Sequence, residues 1–277
     1  FPKDWKTSDE AWMPITYQAL EELPIPGEIM QFDILTLFPG FFRGPLDESI
    51  LGRAREKGII SFRIVDIRDF AEGRHRVADD YPYGGGGGMV MKPEPLAAAI
   101  RSLRETPPEP YVVFLTPQGK PFSQDTARRL AFMPRLLLLC GHYEGIDERI
   151  RKIYVNEEIS IGDYVLTGGE PAAYVVADAV ARMLPGVLGN ESSFQNDSFY
   201  QGILDFPHYT RPEVFEGERV PEELLSGHHK KIEEWRRRMA LARTRFVRPD
   251  LLPKAPLTDG DRKWLSELGQ SGGGPLE

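Results

Sequence analysis

The chain has 277 residues, 41% of them hydrophobic, which is enough apolar material for one large domain or two smaller ones with a real core. Its formal net charge of −8 argues against a surface coated in basic residues for non-specific nucleic-acid binding, although a local basic patch is compatible with it. No run approaches the roughly 18 apolar residues of a membrane span. The single cysteine, Cys140, excludes an internal disulfide and a zinc site built from several cysteines.

Residues 1–29 are predicted to be a weakly structured extension, because they contain several prolines and no sustained apolar periodicity. Residues 1–16 carry acidic, aromatic and proline residues where a secretory signal needs a basic stretch followed by an apolar one. We therefore expect a cytoplasmic protein whose folded part begins at Met30.

Residues 30–140 alternate between strand and helix patterns. Buried strands are predicted at residues 32–37, 59–67, 111–115 and 136–140. Helices are predicted around residues 50–54, with Asp47 as the cap, and at residues 95–103 and 123–130, while residues 68–80 form a polar loop. Strands that alternate with helices and short loops indicate an α/β domain with a parallel sheet covered on both faces.

Glycine-flanked loops follow two strand-like segments between residues 140 and 171. One loop is Gly141–Gly145, and the other runs from Ile161 to Gly169 before a helix that begins near Pro171. Parallel sheets place ligands beyond the carboxyl ends of their strands, so residues 116–119 and the Gly141 loop are expected at one edge of the sheet. From glycine placement alone, however, two ordinary loops are the favoured interpretation.

The composition changes near residue 189. We predict an α/β domain over residues 30–188, a polar linker over residues 189–197, a small helical domain over residues 198–252 and a tail over residues 253–277. In the helical domain Ile232, Trp235 and Met239 share one helix face. Residues 258–268 are expected to add a helix, and residues 270–277 to be disordered.

Positive charge is concentrated between His228 and Arg248. Two acidic residues, Glu233 and Glu234, stand there against eight basic ones: Lys230, Lys231, Arg236, Arg237, Arg238, Arg243, Arg245 and Arg248. The segment is either a surface that contacts phosphates or a solvated helix face, and charge alone does not separate the two interpretations.

The run of five glycines at residues 84–88 does not complete a known nucleotide-binding pattern. Met89 follows it, so neither the dinucleotide fingerprint nor the phosphate-binding loop that ends in Gly-Lys-Ser or Gly-Lys-Thr is present. As an isolated feature the run is more typical of a flexible loop than of a phosphate cradle. The five histidines lack the spacing of a metal site, and we assign them no metal.

Eight separated segments, taken together, are much more specific than any single motif. They are DYPYGGGGGM (80–89), LTPQG (115–119), CGHYEGIDERI (140–150), SIGDYVLTGGE (160–170), RMLPGVLGNE (182–191), NDSF (196–199), LDFPHYTRPEV (204–214) and LLSGHHKKIEEWRR (224–237). In this order they resemble bacterial tRNA (guanine-N1)-methyltransferases, a family of the SPOUT superfamily, over roughly residues 30–252. Two departures are visible: residues 1–29 have no counterpart, and Gly87 stands where a proline is common.

The resemblance implies a SPOUT-type parallel sheet with a deep trefoil knot in residues 30–188 and an active site at a homodimer interface. Periodicity does not indicate the knot, because un-knotted connections are the rule. S-adenosylmethionine is expected in the knot loops. The implied cofactor contacts are Leu115, Thr116, Pro117, Gly141, Tyr143, Ile161, Gly162, Tyr164, Leu166, Gly168 and Gly169. The resemblance further suggests that Glu144 holds a Mg²⁺ ion.

Family position assigns catalysis to Asp197 and Arg182. Asp197 would take the proton from guanine N1, and Arg182 would lie beside O6, where negative charge develops. A carboxylate in water is roughly 5 pKa units more acidic than guanine N1, so full deprotonation before methyl transfer would cost on the order of 7 kcal/mol. Proton removal must therefore be coupled to methyl transfer or assisted by a cation. Without the resemblance, Asp197 would be interpreted as a helix N-cap and Arg182 as a charge that offsets a helix dipole.

The expected substrate is the anticodon arm of tRNA, methylated at the guanosine 3′ to the anticodon, position 37. The helical domain would grip this arm, and the linker would order over the cofactor when tRNA binds. The residues expected to contact tRNA are Lys231, Arg236, Arg237, Arg238 and Arg243. The alternatives are a knotted methyltransferase for another RNA position and a non-catalytic RNA-binding protein of the same fold. For Asp147, Glu148 and Arg149, a structural salt-bridge set is as well supported as a functional role.

Overall fold

The computed structural model describes residues 29–189 and 197–270, and the chain divides into two compact units after Gly189. The predictions made for residues 1–28, for the linker at residues 190–196 and for residues 271–277 lie outside the described residues. None of the described helices is both long and apolar enough to cross a bilayer.

The first unit contains a five-stranded sheet and the helices that cover it. The five strands of that sheet are β1 (Met30–Thr36), β2 (Ile60–Asp66), β5 (Tyr111–Pro121), β6 (Arg135–Cys140) and β7 (Glu157–Ser160), and the unit also contains the separate antiparallel pair β3 (Asp79–Asp80) and β4 (Val90–Met91). Its helices are α1 (Ser49–Glu56), α2 (Pro93–Arg104), α3 (Gln124–Leu130), α4 (Glu148–Tyr154) and α5 (Glu170–Ala181). Short 3₁₀ helices occur at Pro39–Phe42, Pro45–Asp47 and Ile67–Phe70.

The main sheet has the strand order β2-β1-β6-β5-β7, and every pair in it is parallel. All six residues of the central strand β6 are buried. Leu136 and Leu138 belong to one hydrophobic cluster with residues of α1, α3 and α5, whereas Leu137 and Leu139 belong to a second cluster with residues of α2 and α4. The predicted α/β architecture, a parallel sheet covered on both faces, is therefore confirmed.

Two local predictions for this unit were wrong or incomplete. Asp47 does not cap α1: it ends the preceding 3₁₀ helix and pairs with Arg55, while Glu48 is the N-cap and makes no side-chain cap bond. Helix α4 was not predicted, because seven largely charged residues give little apolar periodicity. Its N-cap is Asp147, whose carboxylate accepts a hydrogen bond from the Arg149 amide at 2.8 Å. The Asp147–Arg149 ion pair at 2.8 Å gives these two residues a structural contact.

Strand β5 is longer than predicted because its pairing with β7 is interrupted and then resumes. Leu115 and Lys120 both oppose Ile159, so residues 116–119 leave the ladder between these two points. At Gly119 an added Cβ would lie 2.5 Å from the Ile159 amide nitrogen, which restricts the position to glycine. The interruption directs residues 116–119 out of the sheet at its edge.

A buried ion pair joins β1 to β6. The Arg135 Nε donates to the Asp33 Oδ2 at 2.6 Å, and the two side chains are only 1% and 3% exposed. The same guanidinium donates to the carbonyls of Thr106 at 2.5 Å and Pro108 at 3.1 Å. Burial raises the pKa of the Asp33 carboxyl, and the hydrogen bond from Arg135 opposes that rise. The pair ties the chain after α2 to the sheet.

The second unit is mainly helical in its described part. It contains the hairpin β8 (Val214–Phe215) and β9 (Glu218–Arg219), helices α6 (Glu222–Leu225), α7 (His229–Val247) and α8 (Asp259–Gln270), and a 3₁₀ helix at Pro249–Lys254. Its core consists of Ile203, Ala240, Leu241, Ala255 and Leu265.

Two features of the second unit differ from the sequence-based expectation. Helix α8 confirms the helix predicted at residues 258–268, but Leu265 is in the core, so the packed part extends past residue 252 into the residues assigned to a tail. The buried residues of α7 lie in its carboxyl-terminal half, at Ala240–Ala242 and Thr244, whereas the predicted face around Trp235 is only half-buried.

Candidate functional site

A cleft of about 360 Å³ lies beyond the carboxyl ends of β6 and β7 and beside the part of β5 whose pairing is interrupted. Three segments form its walls. Residues 114–118 belong to β5, residues 141–145 to the loop after β6, and most of residues 159–169 to the end of β7 and the loop that follows it. This is the edge of a parallel sheet at which ligands are expected. The two loops predicted to meet there, residues 116–119 and 141–145, both contribute to the lining.

All eleven residues predicted to contact a cofactor line this one cleft. They are Leu115, Thr116, Pro117, Gly141, Tyr143, Ile161, Gly162, Tyr164, Leu166, Gly168 and Gly169. Further lining residues, among them His142, Ser160 and Thr167, were not singled out from the sequence. Their position inside the same three loops is the signal that would have found them. The roles of the eleven residues stay predictions.

The loops of the cleft approach each other at the level of the backbone. The Gly169 amide donates to the Gly141 carbonyl at 2.9 Å. A Cβ added at Gly169 would lie 2.7 Å from the Cα of Cys140, and one added at Gly141 would lie 2.9 Å from the Phe114 ring. Tyr143 adopts a φ of 59°, a left-handed conformation that is strained for an aromatic residue. The glycines therefore permit contacts that no larger residue allows.

The accessible surface of the cleft combines apolar side chains with main-chain polar groups. Tyr143 is 52% exposed, Tyr164 55% and Leu166 39%. Glycine loops leave amides and carbonyls within reach of a ligand, and the aromatic and aliphatic side chains supply flat apolar walls. This combination suits an uncharged heterocycle.

The five-glycine run packs beside this cleft. The Glu144 amide donates to the Met89 carbonyl at 3.0 Å, and the Met91 amide donates to the Gly145 carbonyl at 2.9 Å. Gly84, Gly85, Gly86 and Gly88 have positive φ values between 78° and 120°, whereas Gly87 does not. Position 87 is the one at which the resembling family commonly has proline, a residue that requires a negative φ. The substitution of glycine there is thus compatible with the loop's backbone.

Glu144, predicted to hold a metal ion, lines the cleft. Within residues 29–189 and 197–270 there is no group of three or more His, Cys, Asp or Glu side chains arranged to hold a metal. A Mg²⁺ ion at Glu144 would therefore take most of its ligands from water or from a substrate, as Mg²⁺ often does.

The two residues predicted to be catalytic lie in different units. Arg182 is the C-cap of α5, and its amide donates to the Asp178 carbonyl at 3.0 Å. Burial raises the pKa of the Asp178 carboxyl, and the positive charge of Arg182 opposes the rise. Asp197 is half-buried and lines a second cavity, of about 300 Å³, within the second unit, together with Phe206, Arg236 and other residues.

Four of the five residues predicted to contact tRNA are exposed: Lys231, Arg236, Arg238 and Arg243. The Cζ of Arg236 lies 5.0 Å from the centre of the Phe206 ring. Arg237 differs, because it forms an ion pair with Asp261 at 2.9 Å and donates to the Pro256 carbonyl at 3.2 Å. Arg237 therefore has a structural contact inside the second unit.

Comparisons with known proteins agree with the resemblance noted in the sequence. A family model described as tRNA (Guanine-1)-methyltransferase TrmD matches residues 30–254. A protein of Geotalea uraniireducens named tRNA (guanine-N(1)-)-methyltransferase is 56% identical over 239 residues, which cover 86% of this chain and 97% of that protein. Proteins of the same name from Chloroflexus aggregans and Geobacillus kaustophilus are 58% and 53% identical, over 88% and 86% of this chain and 97% and 98% of their own lengths.

Proposed function

This chain belongs to the tRNA (guanine-1)-methyltransferase TrmD family, and from that membership we propose that it methylates N1 of the guanosine 3′ to the anticodon in tRNA, position 37. S-adenosylmethionine is the methyl donor that a methyltransferase of this family implies. The observation that supports the proposal most directly is the gathering of all eleven expected cofactor residues around one cleft.

The residues of the cleft fit S-adenosylmethionine. The volume of the cleft, about 360 Å³, falls within the usual range of small-molecule sites. Close-packed glycine loops let main-chain groups reach the edge of an adenine ring, and the ligand has no pyrophosphate that would need a helix N-terminus. When bound, S-adenosylmethionine supplies the methyl group on an electrophilic sulfonium. The residues of the chain must then orient the guanine, remove its N1 proton and stabilise the charge that develops.

We assign proton removal to Asp197 and charge stabilisation to Arg182. The carboxylate of Asp197 accepts the N1 proton as the methyl group is transferred, so the free guanine anion never has to form. The Arg182 guanidinium faces O6, where negative charge accumulates, and one such donor typically contributes 10²–10³ in rate. The assignment of Arg182 rests on family position, because Arg182 caps the end of α5 that lies away from the cleft wall.

A SPOUT-type trefoil knot, a homodimer and a cytoplasmic location complete the proposal. Helix α5 follows the edge strand β7 but packs on β6 and β1, further across the sheet. A chain that returns over the sheet in this way is compatible with a knot. We further propose that residues 30–188 bind the cofactor and that the helical domain grips the anticodon arm. A Mg²⁺ ion, when bound, would be held by Glu144.

The decisive experiment is nucleoside analysis of tRNA after incubation with the purified chain and S-adenosylmethionine. We expect 1-methylguanosine as the product. Asp197→Asn should lower kcat by about 10²–10⁴, the usual contribution of a general base, while the calorimetric affinity for S-adenosylmethionine stays unchanged. A parallel reaction with a chelator tests the Mg²⁺ assignment.

Two outcomes would contradict the proposal. A methylated nucleoside other than 1-methylguanosine would indicate an enzyme for a different RNA position or base. A wild-type chain that binds tRNA but not S-adenosylmethionine would indicate an RNA-binding protein without catalysis.

A further inference from the structure

Glu170 is a buried carboxylate that the proposed mechanism does not use. It is the first residue of α5, and its side chain is 4% exposed. The Thr36 hydroxyl lies 2.5 Å from its Oε1, and the His142 Nε2 lies 2.9 and 2.7 Å from its two oxygens. A carboxylate buried to this extent is retained only where its oxygens have hydrogen-bond partners.

The direction of each hydrogen bond follows from the donors available. The Thr36 Oγ1 accepts from the Phe38 amide at 2.8 Å, so its own proton is free to point at Glu170. A carboxylate can only accept, so the His142 nitrogen that faces it carries a proton and donates. The His142 amide in turn lies 3.2 Å from the Met91 sulfur, and the Phe38 ring packs 4.7 Å from the imidazole. The three side chains therefore form one satisfied network.

This network connects three segments that are far apart in the sequence. Thr36 ends β1, His142 lies in the loop after β6, and Glu170 starts α5 directly after the last loop of the cleft. The loops that contain His142 and that precede Glu170 both line the cleft, the first through Gly141 and Tyr143 and the second through Gly168 and Gly169. The Glu170 carboxylate thus sets the distance between two walls of the proposed cofactor site.

The glycine next to the network shows how closely it is packed. A Cβ added at Gly168 would collide with the imidazole of His142 and would lie 2.5 Å from the Glu170 Oε2. Because Gly168 has no side chain, the loop passes over the carboxylate without displacing His142 or Glu170. The lining of the cleft and the buried network are therefore in direct contact, and a shift in one displaces the other.

We infer that Glu170 is a positioning residue for the methyl donor: with Thr36 and His142 it holds the two glycine loops at the spacing that S-adenosylmethionine requires. The inference rests on the proposed function of the cleft. It assigns no chemical step to Glu170, since its carboxylate is buried beneath the loops and bonded to the protein. Its contribution is preorganisation, which spares the ligand the cost of ordering the loops.

The test compares Glu170→Ala with Asp33→Ala in the full chain. Both substitutions remove a buried, hydrogen-bonded carboxylate from the first unit, but Asp33 does not line the cleft. Calorimetry should show that Glu170→Ala weakens S-adenosylmethionine binding by about tenfold or more, as loss of positioning typically does. Asp33→Ala should lower the unfolding temperature and leave that affinity unchanged.

Two milder variants keep the test informative if Glu170→Ala fails to fold. Glu170→Gln keeps an acceptor oxygen for Thr36 and offers an N–H to His142, whose Nε2 accepts it once the imidazole takes its other tautomer, so we expect this variant to retain most of the affinity. Thr36→Val removes the hydroxyl at nearly constant volume, and with it the bond to Glu170 and the bond from the Phe38 amide, and should weaken binding by a few-fold. With saturating cofactor, both should regain wild-type kcat, because the loss is in cofactor KM and not in chemistry.

The outcomes separate this inference from the proposed function. If the wild-type chain binds S-adenosylmethionine and Glu170→Ala or Thr36→Val loses only stability, as Asp33→Ala does, the positioning role is wrong and the proposed function stands. Glu170→Gln that binds as weakly as Glu170→Ala would also overturn it, because hydrogen-bond geometry would not be the cause. A wild-type chain that does not bind the cofactor overturns both.

Discussion

At Gly169, any side chain would collide with main-chain atoms. The nearest neighbours of its added Cβ, the Cα of Cys140 at 2.7 Å and the Gly141 nitrogen at 3.0 Å, belong to a buried strand and the loop after it. Backbone cannot retreat as a flexible side chain can, so Gly169→Ala should destabilise the chain by about 1–3 kcal/mol, as overpacking does, and weaken cofactor binding. Denaturant unfolding and calorimetry measure the two effects.

Gly40→Ala is the matched control for that substitution, because nothing lies within 4 Å of its added Cβ and its φ is not in the left-handed region. Its stability should stay within about 0.5 kcal/mol of wild type, as for most surface substitutions. Equal losses of stability in the two variants would mean that the steric contact at Gly169 is not the cause of the destabilisation.

Cys140 is a reporter of unfolding that the chain carries naturally. Burial raises the pKa of its thiol well above the ordinary value, and the negative charge of Glu170 raises it further. Since the thiolate is the reactive form, the native thiol should be protonated and inert toward a disulfide reagent at pH 8. Labelling should follow the unfolding rate in denaturant. Rapid labelling of the native chain would show that the carboxyl end of β6 opens locally.

Within helix α7, neighbouring arginines have different roles. Arg237 is bound to Asp261 at 2.9 Å, whereas Arg238 is exposed. Removing one partner of a partly buried charged hydrogen bond costs about 1–3 kcal/mol. We expect Arg237→Ala to lower the stability of the second unit by that amount and Arg238→Ala to leave it nearly unchanged. Urea unfolding at pH 7 measures both variants, and equal stabilities would mean that Arg237 and Arg238 are equivalent surface residues.

The same pair predicts a pH dependence. Burial raises the pKa of Asp261, but hydrogen bonds from Arg237 and Thr258 outweigh it, so the folded pKa is lowered. A lowered folded pKa gives stability that is fully present above the unfolded value of about 4 and is lost as the pH falls through the folded value. The stability difference between wild type and Arg237→Ala should therefore shrink below pH 4.

Elements with a strong local signal were predictable, and elements that depend on distant partners were not. The unbroken apolar run of β6 identified a buried strand from sequence alone. The extension of β5 was hidden, because Pro117 and Gly119 indicate a turn and the strand resumes only by pairing with Ile159. The cofactor residues were identified through family resemblance. The bond between Thr36 and Glu170 joins positions 134 residues apart, a distance that no local pattern reveals.

At the scale of the whole molecule, the net charge of −8 and a tRNA substrate are reconciled by a local basic surface. We expect Lys231, Arg236, Arg238 and Arg243, changed together to Ala, to weaken tRNA binding and to flatten its salt dependence by about 0.7–0.9 in slope per lost phosphate contact. Arg237 is kept, so that the fold is not perturbed. S-adenosylmethionine affinity should not change.

The control for that surface is a pair of exposed basic residues on another helix of the same unit, Arg262 and Lys263 of α8. Their replacement by Ala removes positive charge from the unit without touching α7. An equal flattening of the salt dependence in this control would assign the effect to overall charge and not to the α7 surface.

The interruption of β5 makes the cleft observable by hydrogen–deuterium exchange. Amides held in the ladders of residues 111–115 should exchange slowly, while the amides of Thr116, Gln118 and Gly119, which leave the ladder, should exchange early. A ligand seated against residues 116–119 would slow only the second group. Within β5, residues 116–119 thus report whether a ligand occupies the cleft, and residues 111–115 serve as the internal reference.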